Sequence, residues 1–299
     1  MNLFCANQNS ITESKYYFID GCFDGYHYGH ANAIFQSKQK CDNLILGTHD
    51  DIEMKEHKNV PLFDYDERSF MLQYCKYVNK YIGTVPYIVN LQTIYKYNCT
   101  KYLHGNEQII TRNNVNGIQI PLESYITYEV TKGISTTNLL LRLYQYYNNI
   151  TITTNNDTEY LLNIINEMKK FNNIANESSD IIYVSHSWDL ICSQHVKQLQ
   201  KIKDDYPNHK IITIIKNDIK NIFNELERSI VLHSIKIIDD VIIENEININ
   251  NINNNIYIDL NNINSKYYLS FNKEQYISKI MDNFGNYKDK IKHLDIFNQ

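Results

Sequence analysis

Several things are missing from this chain, and each absence excludes a class of protein. Lysine and arginine are not in excess: 29 of them face 34 acidic residues, a formal net charge of −5. That argues against a general nucleic-acid binder. No apolar run approaches the roughly 18 residues of a spanning helix, so stable membrane insertion is not expected. Met1 to Ser14 has neither the basic start nor the apolar centre of a signal peptide. No CxxC pair occurs: Cys5, Cys22, Cys41, Cys75, Cys99 and Cys192 are scattered, as in a cytoplasmic protein with reduced thiols. Glycine and proline are scarce while asparagine, isoleucine and tyrosine abound, a compositional drift without a functional reading.

What is present begins with Phe18-Ile19-Asp20-Gly21-Cys22-Phe23-Asp24-Gly25-Tyr26-His27-Tyr28-Gly29-His30. An apolar strand, Tyr16 to Ile19, runs into a glycine turn, and a helix is expected over Gly29–Lys40. Asn43–Thr48 reads as a second buried strand, Tyr65–Val78 as a helix, Tyr81–Val85 as a strand and Leu91–Tyr97 as a helix. Tyr102–His104 ends another strand. Short apolar strands alternating with helices imply an α/β fold with a parallel sheet covered on both faces. Ligands bind such sheets beyond the strands' carboxyl ends. The Asp20–His30 turn, the His104-Gly105-Asn106 turn and the segment before Gly133-Ile134-Ser135-Thr136-Thr137 would lie there. The last of these looks like a glycine loop opening a helix that runs through Leu143.

A polar, β-branched tract at Asn148–Asp157 marks a linker, after which the pattern restarts with a strand at Ile181–Val184. Asp189 and His195 follow Asp24 and His30 at one offset, and Glu227-Arg228 follows Glu67-Arg68 at nearly the same one. Landmarks repeated in order indicate an internal duplication. The Asn/Ile tract from Asn245 to Asn264 is expected to be an insertion or surface loop.

The spacing of His27 and His30 suits charge stabilisation. A nucleoside triphosphate attacked at its α-phosphorus develops negative charge on its oxygens, and positioned donors supply most of the catalysis. If the turn continues into helix, the two imidazoles share a face, near free amides and the positive end of the helix dipole. Gly29 between them leaves room for phosphates. Packing inside a core is the alternative. Zinc binding by Cys22, His27 and His30 is another, but structural zinc takes four ligands and no fourth stands nearby.

These residues, with Glu67-Arg68, His104-Gly105-Asn106 and Gly133 to Thr137, resemble the cytidylyltransferases, and among them the tandem-domain type that takes phosphoethanolamine. Tandem halves and His-Gly-Asn, where the choline-phosphate type has His-Asp-Asp, carry that preference. The resemblance is strong over residues 16–145 and weak over 180–295. It implies two Rossmann-like nucleotidyltransferase domains with parallel sheets, the second degenerate: 15–147 catalytic, 148–178 linker and 179–299 degenerate. It further implies CTP and phosphoethanolamine as substrates, Mg²⁺ arriving with CTP, and the possibility of a homodimer. Phosphocholine or glycerol 3-phosphate as acceptor, and a nucleotide-binding pseudoenzyme, are the alternatives. Gly21, Cys22, Phe23, Asp24 and Gly29 would line the CTP phosphates, with His27 and His30 stabilising the transition state and Asp24 fixing the turn or a phosphate-bound cation. Lys58 would bridge the phosphates of CTP and acceptor. Tyr87 would face the acceptor's amine, a cation–π contact. His104, Gly105 and Asn106 would approach cytidine and ribose, and Lys132, Gly133, Ile134, Ser135, Thr136 and Thr137 would close over base and phosphates. Arg68 leans towards a structural ion pair.

The pattern departs from the family in three places. Val130 stands where an arginine is expected, with Lys132 as an imperfect substitute lacking a planar fork. In Cys192-Ser193-Gln194-His195, Gln194 takes the place of the glycine and should obstruct phosphates, and no second Gly-Ile-Ser-Thr loop appears. The second half is therefore expected to be catalytically dead, a scaffold or regulator. Finally, no long amphipathic membrane helix is evident.

Overall fold

The computed structural model describes residues 16–106, 120–172, 180–217, 220–246 and 255–282. The first half runs β1 (Tyr16–Gly21), α1 (Tyr28–Lys38), β2 (Asn43–Thr48), α2 (Asp51–His57), α3 (Tyr65–Gln73), β3 (Lys80–Thr84), α4 (Leu91–Lys96), β4 (Lys101–Gly105), β5 (Tyr125–Tyr128) and α5 (Thr136–Tyr147). After α6 (Thr158–Phe171) come β6 (Ile181–His186), α7 (Ser193–Asp205), β7 (Lys210–Ile215), α8 (Glu225–His233), β8 (Asp240–Ile243), β9 (Ile256–Asp259) and α9 (Lys273–Asp282).

Two all-parallel sheets result, ordered β3-β2-β1-β4-β5 and β8-β7-β6-β9. The central strands are almost wholly apolar (Leu44-Ile45-Leu46, Ile214-Ile215), as sheets buried on both faces require. Four strands of the first sheet and the four of the second follow the same order, β3-β2-β1-β4 and β8-β7-β6-β9, so the duplication read from Asp24/Asp189 and His30/His195 is a duplication of architecture. The correspondence reaches backbone detail. Phe23 and Gly25 have φ of +47° and +67°, and Trp188 and Leu190, 165 positions later, have +54° each.

Three segments differ from expectation. The Asn/Ile tract is not only a loop: Ile256–Asp259 forms β9, which pairs with β6 from Ile182↔Ile256 to Ser185↔Asp259. The apolar Ile256 and Ile258 supply what a strand needs despite the surrounding asparagines. Helix α3 stops at Gln73 rather than Val78, because the chain beyond it forms a seam between the halves. Cys75 and Ile235 make an antiparallel bridge, the Lys76 amide donates to Ser234 O, and the Lys236 amide donates to Tyr74 O. These reciprocal bonds define a local pseudo-twofold axis. Third, residues 148–178 hold α6, whose Leu161, Ile164, Ile165 and Met168 are buried at helical spacing. Phe171 at its end packs edge-on to Phe35 at 5.6 Å, and the Asn172 amide donates to His233 O. The connecting segment is thus wedged against both halves.

Candidate active site

The turn after β1 is held from below. Asp24 is 2% exposed, and its carboxylate accepts from the Leu62 and Phe63 amides at 2.9 to 3.1 Å. Arg68, also buried, donates to Cys22 O (2.8 Å), His49 O (2.9 Å) and Phe63 O (3.1 Å) and pairs with Asp51 at 2.7 Å. Asp24 therefore fixes the turn, and Arg68 is structural. Gly25 needs its missing side chain, since a Cβ there would lie 2.4 Å from Leu139 and 2.8 Å from Phe63.

Helix α1 starts one residue earlier than expected, at Tyr28, with His27 as its N-cap. His27 Nδ1 accepts from the amides of Gly29 (3.1 Å) and His30 (3.4 Å). The amides expected to be open are thus occupied by the imidazole itself. This fixes the tautomer: a neutral ring accepting through Nδ1 carries its proton on Nε2. That Nε2 is buried without a hydrogen-bond partner among the described residues, as is His30 Nδ1. The two rings do not merely share a helix face; they stack, with centroids 3.8 Å apart and planes at 16°. Burial holds both neutral. His27 lies well below the ordinary imidazole range through burial, then through neighbouring His30 and Arg142, and His30 is lowered to about 3 by burial and by Lys58.

Burial lowers His195 and His233 in the same direction, His233 to about 3. For groups depressed in the folded state, the unfolded chain binds more protons between the two pKa values. The stability they confer is complete above about pH 6.5 and is lost as pH falls towards 3. Urea unfolding should therefore show stability declining from pH 7 to pH 5, by at most about 1.4 kcal/mol per pH unit for each histidine. A flat profile would contradict the neutral assignment.

Lys58, at the C-terminal end of α2, reaches back so that its Nζ is 3.9 Å from Cys22 Sγ, beside the imidazoles. Tyr87 follows along the strand ends. The Tyr87 amide donates to Glu53 Oε2 (3.0 Å), and its ring stacks on His57 (5.0 Å, 18°) and tilts against His49 at 5.0 Å. One face of Tyr87 is thus covered by His57. Asp20, at the end of β1, accepts from Tyr102 Oη at 2.6 Å and faces His49 Nε2 at 3.4 Å. Burial pushes its carboxyl up, partly offset by His49 and by the Tyr102 hydrogen bond. Asp20 and His49 were not singled out from sequence, although their positions at the carboxyl ends of β1 and β2 were a usable signal.

The glycine loop meets this turn directly. A Cβ on Gly29 would come within 2.7 Å of Ile134, and Thr136 Oγ1 donates to Asp24 O at 3.4 Å. Gly133 has φ +80°, and Ser135 caps α5 by accepting from the Asn138 amide. Thr137 follows in the first turn of α5. His104 is exposed, Gly105 is buried against Val130, and Asn106 accepts from the Val130 amide at 3.1 Å. Gly21, Cys22, Phe23, His27, His30, Lys58 and the Gly133–Thr137 loop are thus brought together. Lys132 is not: its ammonium lies over the Tyr160 ring, 5.9 Å from the centroid, and leaves the position of Val130 without a cation.

The corresponding place in the second half is filled. His195 is fully buried, 4.6 Å from Phe271 and 6.1 Å from Trp188, and its Nδ1 accepts from the Cys192 amide. Gln194 itself is exposed, so packed aromatic rings rather than its side chain fill the place that corresponds to the His27–His30 pair.

A parallel sheet with paired imidazoles at a helix start and a glycine loop opposite is an arrangement suited to holding the phosphates of a nucleotide. Residues 18–142 match the model of the Cytidylyltransferase-like family. It is similar over 258 residues, at 28% identity, to a probable ethanolamine-phosphate cytidylyltransferase of Schizosaccharomyces pombe, covering 75% of this chain and 71% of the relative. The ethanolamine-phosphate cytidylyltransferase of Mus musculus is 36% identical over 126 residues, 42% of this chain and 31% of its own length. Choline-phosphate cytidylyltransferase 2 of Arabidopsis thaliana is 27% identical over 137 residues, 44% of this chain and 45% of its own. No helix among the described residues is long and apolar enough to cross a membrane.

Proposed function

We propose that the first half transfers the cytidylyl group of CTP to phosphoethanolamine, giving CDP-ethanolamine and pyrophosphate. The observation that carries this is the stacked, neutral His27–His30 pair, with His27 Nε2 protonated and unmatched at the start of α1. An acceptor phosphate oxygen attacks the α-phosphorus in line; the new O–P bond forms as the α–β bridging P–O bond breaks, and pyrophosphate leaves. His27 donates to oxygens that gain charge, Lys58 draws the two anionic substrates together, and the Gly133–Thr137 loop excludes water. No covalent enzyme intermediate is required.

The preference for a primary ammonium draws on Glu53, which accepts from the Tyr87 amide, and on the relatives. The S. pombe ethanolamine-phosphate relative matches through both halves, whereas the choline-phosphate one matches less than half the chain. Mg²⁺ would come as the counter-ion of CTP. The Asp24 carboxylate accepts from the Leu62 and Phe63 amides, and no group of three metal-ligating side chains occurs among the described residues. No step is assigned to the metal. We also take the enzyme to be cytoplasmic, consistent with five free cysteines among the described residues. A homodimer would need surfaces other than the Cys75–Ile235 seam, which is already closed within one chain.

The test is an acceptor panel. Purified protein with CTP should release pyrophosphate fastest with phosphoethanolamine, more slowly with phosphocholine or glycerol 3-phosphate, and Lys58→Ala should lower kcat/KM about 10²-fold. The missing cation at Val130 favours one rival, a nucleotide-binding pseudoenzyme; CTP binding by calorimetry with no pyrophosphate from any acceptor would establish it.

A further inference from the structure

We propose that the degenerate half holds the catalytic half's glycine loop in its working position, with Glu227 as the positioning residue. This rests on the reading of the Gly133–Thr137 loop as the CTP-closing loop, and goes beyond it by giving the second half a task.

Glu227 lies in the first turn of α8, in the second half, and is fully buried. Its two oxygens grip Arg142 of α5 in a fork, Nη1 to Oε2 and Nη2 to Oε1, both at 2.9 Å. Planar, two-point pairing of this kind fixes direction as well as distance. Arg142 is 3% exposed, and its Nη2 also donates to Gly133 O at 3.3 Å. Its guanidinium lies over the Phe223 ring of the second half, 5.3 Å from the centroid. Glu227 makes a second connection to the same loop. Its Oε1 accepts from the Asn155 amide at 3.0 Å, and Asn155 Nδ2 donates to Lys132 O at 3.1 Å. The Asn224 amide, at 3.0 Å, completes the shell of Oε2. Two independent chains of contact therefore run from one carboxylate to the consecutive carbonyls of Lys132 and Gly133.

Those carbonyls flank the bend the loop requires. Gly133 holds φ +80°, and the next residue, Ile134, is the one seated against Gly29 beside the His27 ring. A shift at Gly133 would move Ile134 off Gly29 and carry Ser135 to Thr137 away from the phosphates. Small displacements of positioning groups are costly to a reaction that depends on alignment.

The pseudo-symmetric residue provides the control. Glu67 also reaches across the seam, but in the opposite direction: its oxygens accept from the Ser193 amide at 2.6 Å and from the Ser193 hydroxyl at 2.5 Å, at the start of α7. It crosses between the halves without touching the loop.

The experiment compares Glu227→Gln, Asn155→Ala and Glu67→Gln in the full chain. Amide hydrogen exchange over residues 132–137 is measured without ligand, KM is measured separately for CTP and phosphoethanolamine, and thermal melts monitor folding. Glu227→Gln should speed exchange in the loop and raise the KM for CTP about tenfold, with the KM for phosphoethanolamine changing less than about twofold. Asn155→Ala should move the same readouts in the same direction by less, and it decides the matter if Glu227→Gln does not fold. Glu67→Gln should leave loop exchange and the KM for CTP as in wild type. Unchanged loop exchange in folded Glu227→Gln or Asn155→Ala would overturn the proposal, as would equal effects in Glu67→Gln, which would reduce the contact to general interface stability. Since exchange is read without substrate, a wild-type protein that fails to bind CTP would refute the proposed function and leave the loop result standing on its own.

Discussion

Replacing His27 with alanine is expected to lower turnover about 10²-fold or more, the cost of one transition-state donor. The size of the effect follows from two roles in one ring. Nδ1 holds the Gly29 and His30 amides in the first turn of α1, and Nε2–H is the buried donor that the proposed reaction would use. His27→Asn separates them. An asparagine at the N-cap can still accept from the helix amides, so it should preserve the melting temperature while remaining slow. Steady-state kinetics beside a thermal melt make the distinction. Wild-type-like rates in the alanine variant would remove the mechanism.

The largest effects on stability are expected at the two aspartates that brace the turns. Asp24→Ala leaves the Leu62 and Phe63 amides unpaired, and Asp189→Ala does the same to Ile222 and Phe223. Each substitution removes hydrogen bonds to a charged acceptor and leaves buried donors unsatisfied, so each should cost about 3–5 kcal/mol. Asp189→Ala also deprives Lys273 of its carboxylate at 2.8 Å and should cost at least as much. Urea denaturation of both variants measures this. A loss below about 1 kcal/mol for Asp189→Ala would mean that the second turn is held by other contacts. The two aspartates do the same job in both halves, whereas the histidines that follow them do not. The turn belongs to the architecture of both halves, and the stacked imidazole pair to the first half alone.

What could be read from the sequence was what depends on neighbouring residues. The bounds of β2 fall where the apolar run Leu44-Ile45-Leu46 places them, and the offsets of Asp189 and His195 disclosed the repeat. The start of α1 was missed because a histidine seldom caps a helix, so only the geometry reveals that His27 does. Asparagines dilute the apolar alternation of β9, and the linker expected at 148–178 contains α6, whose Leu161, Ile164, Ile165 and Met168 carry a helical stripe. The site separates in the same way. The glycine turn, the imidazoles and the loop are motifs, but the bond from Glu227 to Arg142 joins residues 85 positions apart and leaves no local trace. Lys132 differs again: the resemblance offers it in place of the arginine missing at Val130, and its ammonium lies over the Tyr160 ring of α6.

The seam at Cys75 and Ile235 has an evolutionary corollary. Two identical subunits meeting across such an axis share one gene, so any residue lost from one pocket is lost from both. Joining the copies end to end lifts that constraint: one lobe can surrender its pocket to aromatic filler while the other keeps its donors. The tether also holds the lobes at a high effective concentration whatever the dilution, so specific activity should not fall as the protein is diluted.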